Sequence, residues 1–170
     1  MKRIFAVLLF FGVLGLFNSS CSISLNGATT VGLKTINVEY FENTAPLVVN
    51  YLSQQFTEAL KDRIRSTTSL SIAQGETSAH MSGSITGYSI EPVSVQATSN
   101  NTAPIAGAER LMITVNVTYT NIADKKYNFT QAFSEYEDFT GDISSQEQKL
   151  VTAIIKKLTD DIFNKAFNNW

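Results

Sequence analysis

An alternation over nine positions, with a large apolar residue at every second one and mostly polar residues between, is the feature that most constrains the fold of this 170-residue chain. From Leu111 to Tyr119 every odd position is a large apolar residue, and the even positions are Met112, Thr114, Asn116 and Thr118. A period of two predicts a β-strand with one buried face. Such a strand needs neighbours in a sheet and a second layer that covers its apolar face.

Other stretches predict the neighbouring strands. They are residues 36–40, 81–95 and 127–133, with a further short strand left open at 70–72. Gly83 and Gly87 interrupt the longest of these, and an isolated glycine in a strand indicates a β-bulge that switches the buried face. Gln131 breaks the apolar face of the last strand. Residues 41–46 predict a turn, because Asn43, Thr44 and Pro46 are turn formers.

Two amphipathic stretches predict the layer that covers the sheet. The first stretch predicts a helix of about five turns, with apolar positions at Leu52, Phe56, Leu60 and Ile64. The apolar positions of the second are Val151, Ile154, Ile155, Leu158, Ile162 and Ala166. Ser144 and Glu147 have the spacing of a capping box and predict that the second helix starts there. The order β-α-β-β-β-α predicts an α/β (α+β) two-layer sandwich, with about four strands and both helices packed on one face.

The N-terminus carries the pattern of an export signal. Lys2 and Arg3 precede 14 residues without a polar side chain, at 4–17. A membrane-spanning helix needs about 20 apolar residues, so residues 1–20 are predicted to be a signal peptide. An uncleaved short anchor or a buried core helix remains the alternative.

Cys21 is the single cysteine and follows two serines at the expected cleavage point. No intramolecular disulfide is available to it. Its position resembles that of the acylated cysteine of bacterial lipoproteins, which implies a covalent lipid on Cys21, such as palmitate; a free or intermolecularly paired thiol is the alternative. Ser22 rather than Asp follows, which by this resemblance implies the periplasmic face of the outer membrane. Residues 21–32, rich in Ser, Asn, Gly and Thr, are then a lipidated tether, and 33–170 a single domain.

The residues that would carry chemistry are scarce. One His and one Cys cannot form a metal cage, and no nucleophile motif or phosphate-binding loop occurs. His80 has no sequence partner for catalysis, and Glu135, Glu137 and Asp138 are read as a solvated charge run rather than a cation site. The net charge of −2 argues against binding nucleic acid. We therefore expect a protein that is not an enzyme and has no cofactor or metal beyond the lipid.

Several phrases of the sequence resemble the lipopolysaccharide-assembly lipoproteins, the LptE-like family. They are 34–46 (KTINVEYFENTAP), 52–62 (LSQQFTEALKD), 83–90 (GSITGYSI), 133–139 (FSEYEDF) and 162–167 (IFNKAF). The resemblance implies a lipoprotein that plugs and stabilises a large outer-membrane β-barrel, the LptD-like lipopolysaccharide translocon, and that contacts the passing lipopolysaccharide.

Contact residues are not specified by the resemblance. Arg110, Lys125 and Lys126 are candidates because they are the basic residues at the ends of the central hairpin, with solvated turn residues as the alternative. The loop 96–108 and the turn 121–126 are expected near the barrel wall or the lipopolysaccharide. Three aromatic residues near the C-terminus, Phe163, Phe167 and Trp170, belong either to a partner surface or to the core.

A second function stays open on the sequence alone. The chain has the features of a periplasmic lipoprotein that acts as a lipid- or partner-binding accessory of another envelope transport system. A stable complex with a large outer-membrane barrel would separate the two functions.

Overall fold

The computed structural model describes residues 30, 32–47, 49–93 and 107–168, and in it one mixed β-sheet is covered on one face by two helices. The strands are β1 (Thr35–Val38), β2 (Glu42–Asn43), β3 (Ser71–Ile72), β4 (Ala79–Pro92), β5 (Ala108–Asn121) and β6 (Phe129–Thr140), and the helices are α1 (Leu52–Thr67) and α2 (Glu147–Phe167). Short 3-10 turns lie at Lys125–Tyr127 and Ile143–Ser145. The two-layer α+β fold is confirmed. The signal peptide, Cys21 and most of the tether lie outside the described residues.

The sheet has the order β3-β1-β4-β5-β6, with β2 pairing β4 beside β1. The long strands β4, β5 and β6 are antiparallel, whereas β1 and β2 run parallel to β4. Six strands replace the four expected: β3 falls in the short strand left open at 70–72, whereas the two-residue β2 was not predicted. The predicted turn at 41–46 contains β2: Phe41 is fully buried and holds the next residues against Ser84 and Ile85.

The irregularity predicted in the long strand is a bulge. The register between β4 and β5 shifts between Ile85 and Gly87. As a result Ile85 and Tyr88, three positions apart, are both buried on the helix-covered face. Gly83 serves a different purpose, because a Cβ there would collide with the carbonyl oxygen of Asn116 and come within 2.7 Å of the Phe41 ring.

The predicted core is confirmed. The apolar positions of both helices and of β5 form one buried cluster that includes Leu52, Phe56, Leu60, Ile64, Val151, Ile155, Leu158, Ile162, Ile113, Val115 and Val117. Phe163 and Phe167 belong to the same cluster, each 1% exposed. Both are therefore core residues rather than part of a partner surface. Trp170 lies outside the described residues.

The predicted capping box is wrong. Ser144 lies in the 3-10 turn, where Asp142 accepts a hydrogen bond from its backbone N–H at 3.2 Å, and α2 begins three residues later at Glu147. The Glu147 carboxylate instead accepts a hydrogen bond of 2.7 Å from the Tyr88 hydroxyl. Burial and this contact raise the pKa of Tyr88. A tertiary bond between β4 and α2 has thus replaced the local cap.

Candidate functional site

Arg110, at the start of β5, lies in a closed cluster of charges. Its guanidinium donates two hydrogen bonds to the Asp138 carboxylate, from Nε at 2.7 Å and from a terminal nitrogen at 2.9 Å. The same guanidinium stacks 3.7 Å from the centre of the Tyr136 ring. The hydrogen bonds from Arg110 hold the pKa of Asp138 below its ordinary value. An anion that binds Arg110 must therefore compete with Asp138.

Two of the three acids of the run in β6, Glu137 and Asp138, are paired with cations. Lys157 of α2 pairs with Glu137 at 3.0 Å, and its ammonium also donates to the backbone carbonyl of Tyr136 at 3.1 Å. Asp138 is held by Arg110. Among the described residues no group of three potential metal ligands occurs.

Lys125 and Lys126 lie in the 3-10 turn between β5 and β6, and both are exposed. Asp124 fixes this turn by accepting a hydrogen bond from the backbone N–H of Lys126 at 3.1 Å and by pairing with its ammonium at 3.1 Å. These contacts, the backbone one first, lower the pKa of Asp124. Asn128 braces the turn further, since its side-chain oxygen accepts from the Asn121 N–H at 2.7 Å. The turn therefore presents two cations on a rigid support.

The structure does not bring the three basic candidates together. Arg110 lies at one end of the β5–β6 hairpin and the two lysines lie at the other, roughly 35 Å apart at about 3.3 Å per residue. Each end is a separate cationic position. Of the loop 96–108, only residues 107 and 108 are described, and the predicted lipidation at Cys21 also falls outside the described residues.

The face of the sheet opposite the helices is lined with short hydroxyl side chains. Those in β4, β5 and β6 include Ser82, Ser84, Ser89, Thr114, Thr118, Thr120, Thr130 and Ser134. Two cross-strand hydroxyl pairs connect them, Thr114 with Ser134 at 2.9 Å and Thr118 with Thr130 at 3.1 Å. In the described β4, β5 and β6, the acids and arginine on this face are Glu91, Arg110 and Asp138 at one end, while His80 at the other end lies beside Glu39. We call this surface the open face.

Sequence reasoning missed a groove of about 590 Å³ between β6 and the end of α2. Phe129, Gln131 and Phe133 form its strand side, and Asn164 and Lys165 contribute to its helix side. Gln131 was the sequence feature that indicated the groove, because a polar residue in the apolar face of a strand marks a place that the helix does not cover. We call this surface the β6–α2 groove.

Two carboxylates meet at the border of this groove. Loss of solvation, a hydrogen bond with Asp161 and repulsion from Asp161 raise the pKa of Glu135 above its ordinary value, and Lys157 opposes part of this. The folded chain keeps the Glu135 carboxyl protonated up to a higher pH than the unfolded chain does. Protonation of Glu135 therefore stabilises the fold at low pH, and this stabilisation is lost as the pH rises above about 4.5.

Asp161→Asn is therefore expected to increase the stability of the fold at pH 7. We expect roughly 0.5 kcal/mol, the scale of exposed charge pairs, and no gain at pH 3, where the Glu135 carboxyl is protonated and the repulsion is absent. Urea unfolding at the two pH values measures it. Asp62→Asn, at an exposed acid of α1, is the control and should show no such gain. Equal stability of Asp161→Asn and the wild type at pH 7 would contradict the repulsion.

No helix in the described ranges is both long and apolar enough to cross a bilayer. His80, the second residue of β4, is half-buried and lies 3.1 Å from a carboxylate oxygen of Glu39. That contact orients a histidine that lies between Asn37 of β1 and Thr120 of β5. It does not assemble a catalytic group.

The fold is similar to that of bacterial proteins of known structure. The rare lipoprotein B from Shewanella oneidensis superposes with a TM-score of 0.50 at 12% identity, covering 77% of this chain and 92% of that one. A hypothetical protein from Chlamydia trachomatis gives a TM-score of 0.55 at 8% identity, covering 81% and 99%. At these identities the likeness concerns the fold alone. No curated protein matches the sequence significantly.

The family itself is defined by sequence. The family model LptE, described as lipopolysaccharide-assembly, matches residues 33–166, which is most of the chain. The chain therefore belongs to the LptE lipopolysaccharide-assembly family, as the sequence resemblance implied. Members of this family are non-catalytic, envelope-associated accessory lipoproteins, and a role in lipopolysaccharide assembly follows from membership.

Proposed function

We propose that this protein plugs and stabilises the β-barrel translocon that delivers lipopolysaccharide to the cell surface. The family match over residues 33–166 carries the proposal. In this proposal the protein is not an enzyme, its partner is an LptD-like barrel, and its place is the periplasmic face of the outer membrane. The lipid on Cys21 holds it there.

The open face supports a position inside a barrel. The lumen of a large outer-membrane barrel is polar. A flat surface of Ser and Thr hydroxyls exchanges hydrogen bonds with such a wall, or with water between them, without the penalty of removing charges from water. The net charge of −2 for the whole chain gives little bulk attraction to the anionic lipopolysaccharide itself. Contact with the glycolipid is therefore assigned to local cations.

Lys125 and Lys126 are the cations best placed for that contact. Both are exposed at the tip of the β5–β6 hairpin, and phosphate groups accept charge-assisted hydrogen bonds from such ammonium groups. Arg110 contributes at the opposite end only where a phosphate displaces Asp138. The two ends lie far enough apart to contact different parts of the translocon or of its cargo.

Photo-crosslinking in cells tests the proposal. A photoreactive residue at Thr118 on the open face is expected to trap the barrel, and one at Lys125 is expected to trap the barrel or lipopolysaccharide. The matched control is Glu58, which is exposed on α1 on the helix side of the fold; it should give a much weaker crosslink. If neither position traps a barrel and depletion leaves surface lipopolysaccharide unchanged, the accessory role in another envelope transport system replaces this function.

A further inference from the structure

β6 is a free edge of the sheet. It is the last strand in the order β3-β1-β4-β5-β6, so its side away from β5 has no strand partner among the described residues. It is twelve residues long. A long edge strand offers a row of unpaired N–H and C=O groups to any extended chain, and proteins usually block such edges with charge, proline or a bulge.

The two halves of this edge differ. In the second half Glu135, Glu137 and Asp138 introduce charge, and Lys157 occupies the carbonyl of Tyr136 at 3.1 Å. The first half, residues 129–134 with the sequence FTQAFS, contains no charged residue, glycine or proline. The charged residues and the Lys157 contact therefore block strand addition along the second half of β6, and the first half has no such protection.

The register identifies the groups that point outwards. Val93 donates to the carbonyl of Ala108 at 2.9 Å, and Ile122 donates to the carbonyl of Ser78 at 3.1 Å, so the even-numbered residues of β5 bond towards β4. The odd-numbered residues then bond towards β6. Through the pairing of Val117 with Gln131, the odd residues of β6 face β5. The backbone groups of Thr130, Ala132 and Ser134 consequently face away from the sheet.

The β6–α2 groove lies beside this open half. Its strand side consists of Phe129, Gln131 and Phe133, with the two rings 6.1 Å apart and the exposed carboxamide between them. An edge strand next to a groove lined by a helix is the arrangement in which a peptide is bound by strand addition: main-chain hydrogen bonds give affinity, and alternate side chains enter the groove.

The charges of the groove favour an acidic occupant. Lys126 and Lys165 lie in its lining together with the carboxylate of Asp161, which contacts Glu135 at the border of the groove. Lys126 is already paired with Asp124, whereas Lys165 lies 6.0 Å from the centre of the Phe129 ring and forms none of the ion pairs found among the described residues. Lys165 is therefore the cation of the groove that can pair with an acidic side chain of an occupant.

We propose that residues 129–134 of β6 bind an extended segment of the protein with which this lipoprotein assembles, as an added strand whose apolar side chains enter the β6–α2 groove and whose carboxylate pairs with Lys165. Only the identity of the partner rests on the proposed function. The binding mode stands on the free edge, the outward backbone groups and the groove.

A peptide probe tests the binding mode without the natural partner. The mature lipoprotein in detergent is titrated with acetyl-Val-Thr-Val-Thr-Glu-Thr-amide and followed by nitrogen-15 NMR. Shifts are expected at the amides of Thr130, Ala132 and Ser134 and at the side chain of Gln131. The same peptide with alternate N-methylated residues should not bind, and its Glu-to-Lys version or Lys165→Glu should weaken binding about threefold. Shifts that are absent at these amides, or that occur at the β3 edge instead, overturn the proposal.

A proline at the edge tests the interaction in cells. Ala132→Pro removes an outward N–H and no bond to β5, a position where edge strands tolerate proline. We expect Ala132→Pro to lower the amount of partner crosslinked through Thr118 or Lys125 at least tenfold. Ala132→Ser, which keeps the N–H, should leave that amount unchanged. Full recovery of the partner with Ala132→Pro overturns the added strand even where the crosslinks at Thr118 and Lys125 uphold the translocon function. Dimerisation through β6, or protection of its amides by residues 21–31 of the same chain, also overturns it.

Discussion

Truncation of Phe56 to alanine is expected to remove about 3–5 kcal/mol of folding free energy. Phe56 is fully buried on α1, and its ring contacts that of Phe41 edge-on with centres 5.1 Å apart. Phe41 in turn lies over Gly83, where no side chain is available to fill the space. The cavity left by the missing ring therefore has rigid walls, and such cavities collapse little.

Urea unfolding of the mature chain measures this loss. The control is Gln54→Ala, an exposed position of the same helix, which is expected to change stability by less than about 0.5 kcal/mol. A midpoint for Phe56→Ala equal to that of the wild type would show that α1 does not pack on the sheet through this residue.

The long strands and helices could be predicted because their apolar residues recur at the positions that the fold buries. In β5 every odd residue from Leu111 to Tyr119 is buried, as the alternation requires. In α1 and α2 the apolar positions recur at helical spacing and all face the sheet. Many residues contribute to each of these patterns, so one exception such as Gln131 does not change the prediction.

The short elements and the helix start could not be predicted in the same way. β2 and β3 contain two residues each, too few for a period, and they exist because neighbouring strands position them. The sequence accordingly left β3 open, as a short strand at 70–72, and did not predict β2. At α2 the capping-box sequence was present, but Glu147 is recruited by Tyr88, a residue 59 positions earlier. A tertiary hydrogen bond of this kind leaves no local signal.

The candidate site was predicted only in part, because tertiary contacts leave no local signal in the sequence. The sequence placed Arg110, Lys125 and Lys126 at the hairpin ends, since hairpin geometry follows from the two strands. It did not show that Asp138 neutralises Arg110, because that contact depends on the register of β5 against β6. The groove was hidden as well, since its two sides come from parts of the chain about thirty residues apart.

Replacement of Cys21 by serine, in a chain whose residues 1–20 are exchanged for a signal peptide that is cleaved without the cysteine, is expected to release the protein from the membrane completely. Each methylene of an acyl chain buried in the bilayer contributes about 0.8 kcal/mol, and although a single chain binds marginally, two or more give a stable anchor. The open face and the groove offer no comparable membrane attachment, because their surfaces are polar or narrow. The family domain begins at residue 33, twelve positions beyond the cysteine, so its fold is expected to survive the change.

Metabolic labelling with a radioactive fatty acid, followed by separation of membrane and periplasm, measures this release. Wild-type protein should carry the label and sediment with the outer membrane, and Cys21→Ser should be unlabelled and soluble with an unchanged melting temperature. Ser22→Ala alters the adjacent side chain but keeps the thiol, so it should behave like the wild type. Label that persists in Cys21→Ser, or wild-type protein that is soluble in the periplasm, would show that the lipid is not on this residue. Without the lipid, the protein is held by its affinity for the barrel alone. The amount of Cys21→Ser that still crosslinks through Thr118 therefore measures barrel binding apart from membrane attachment.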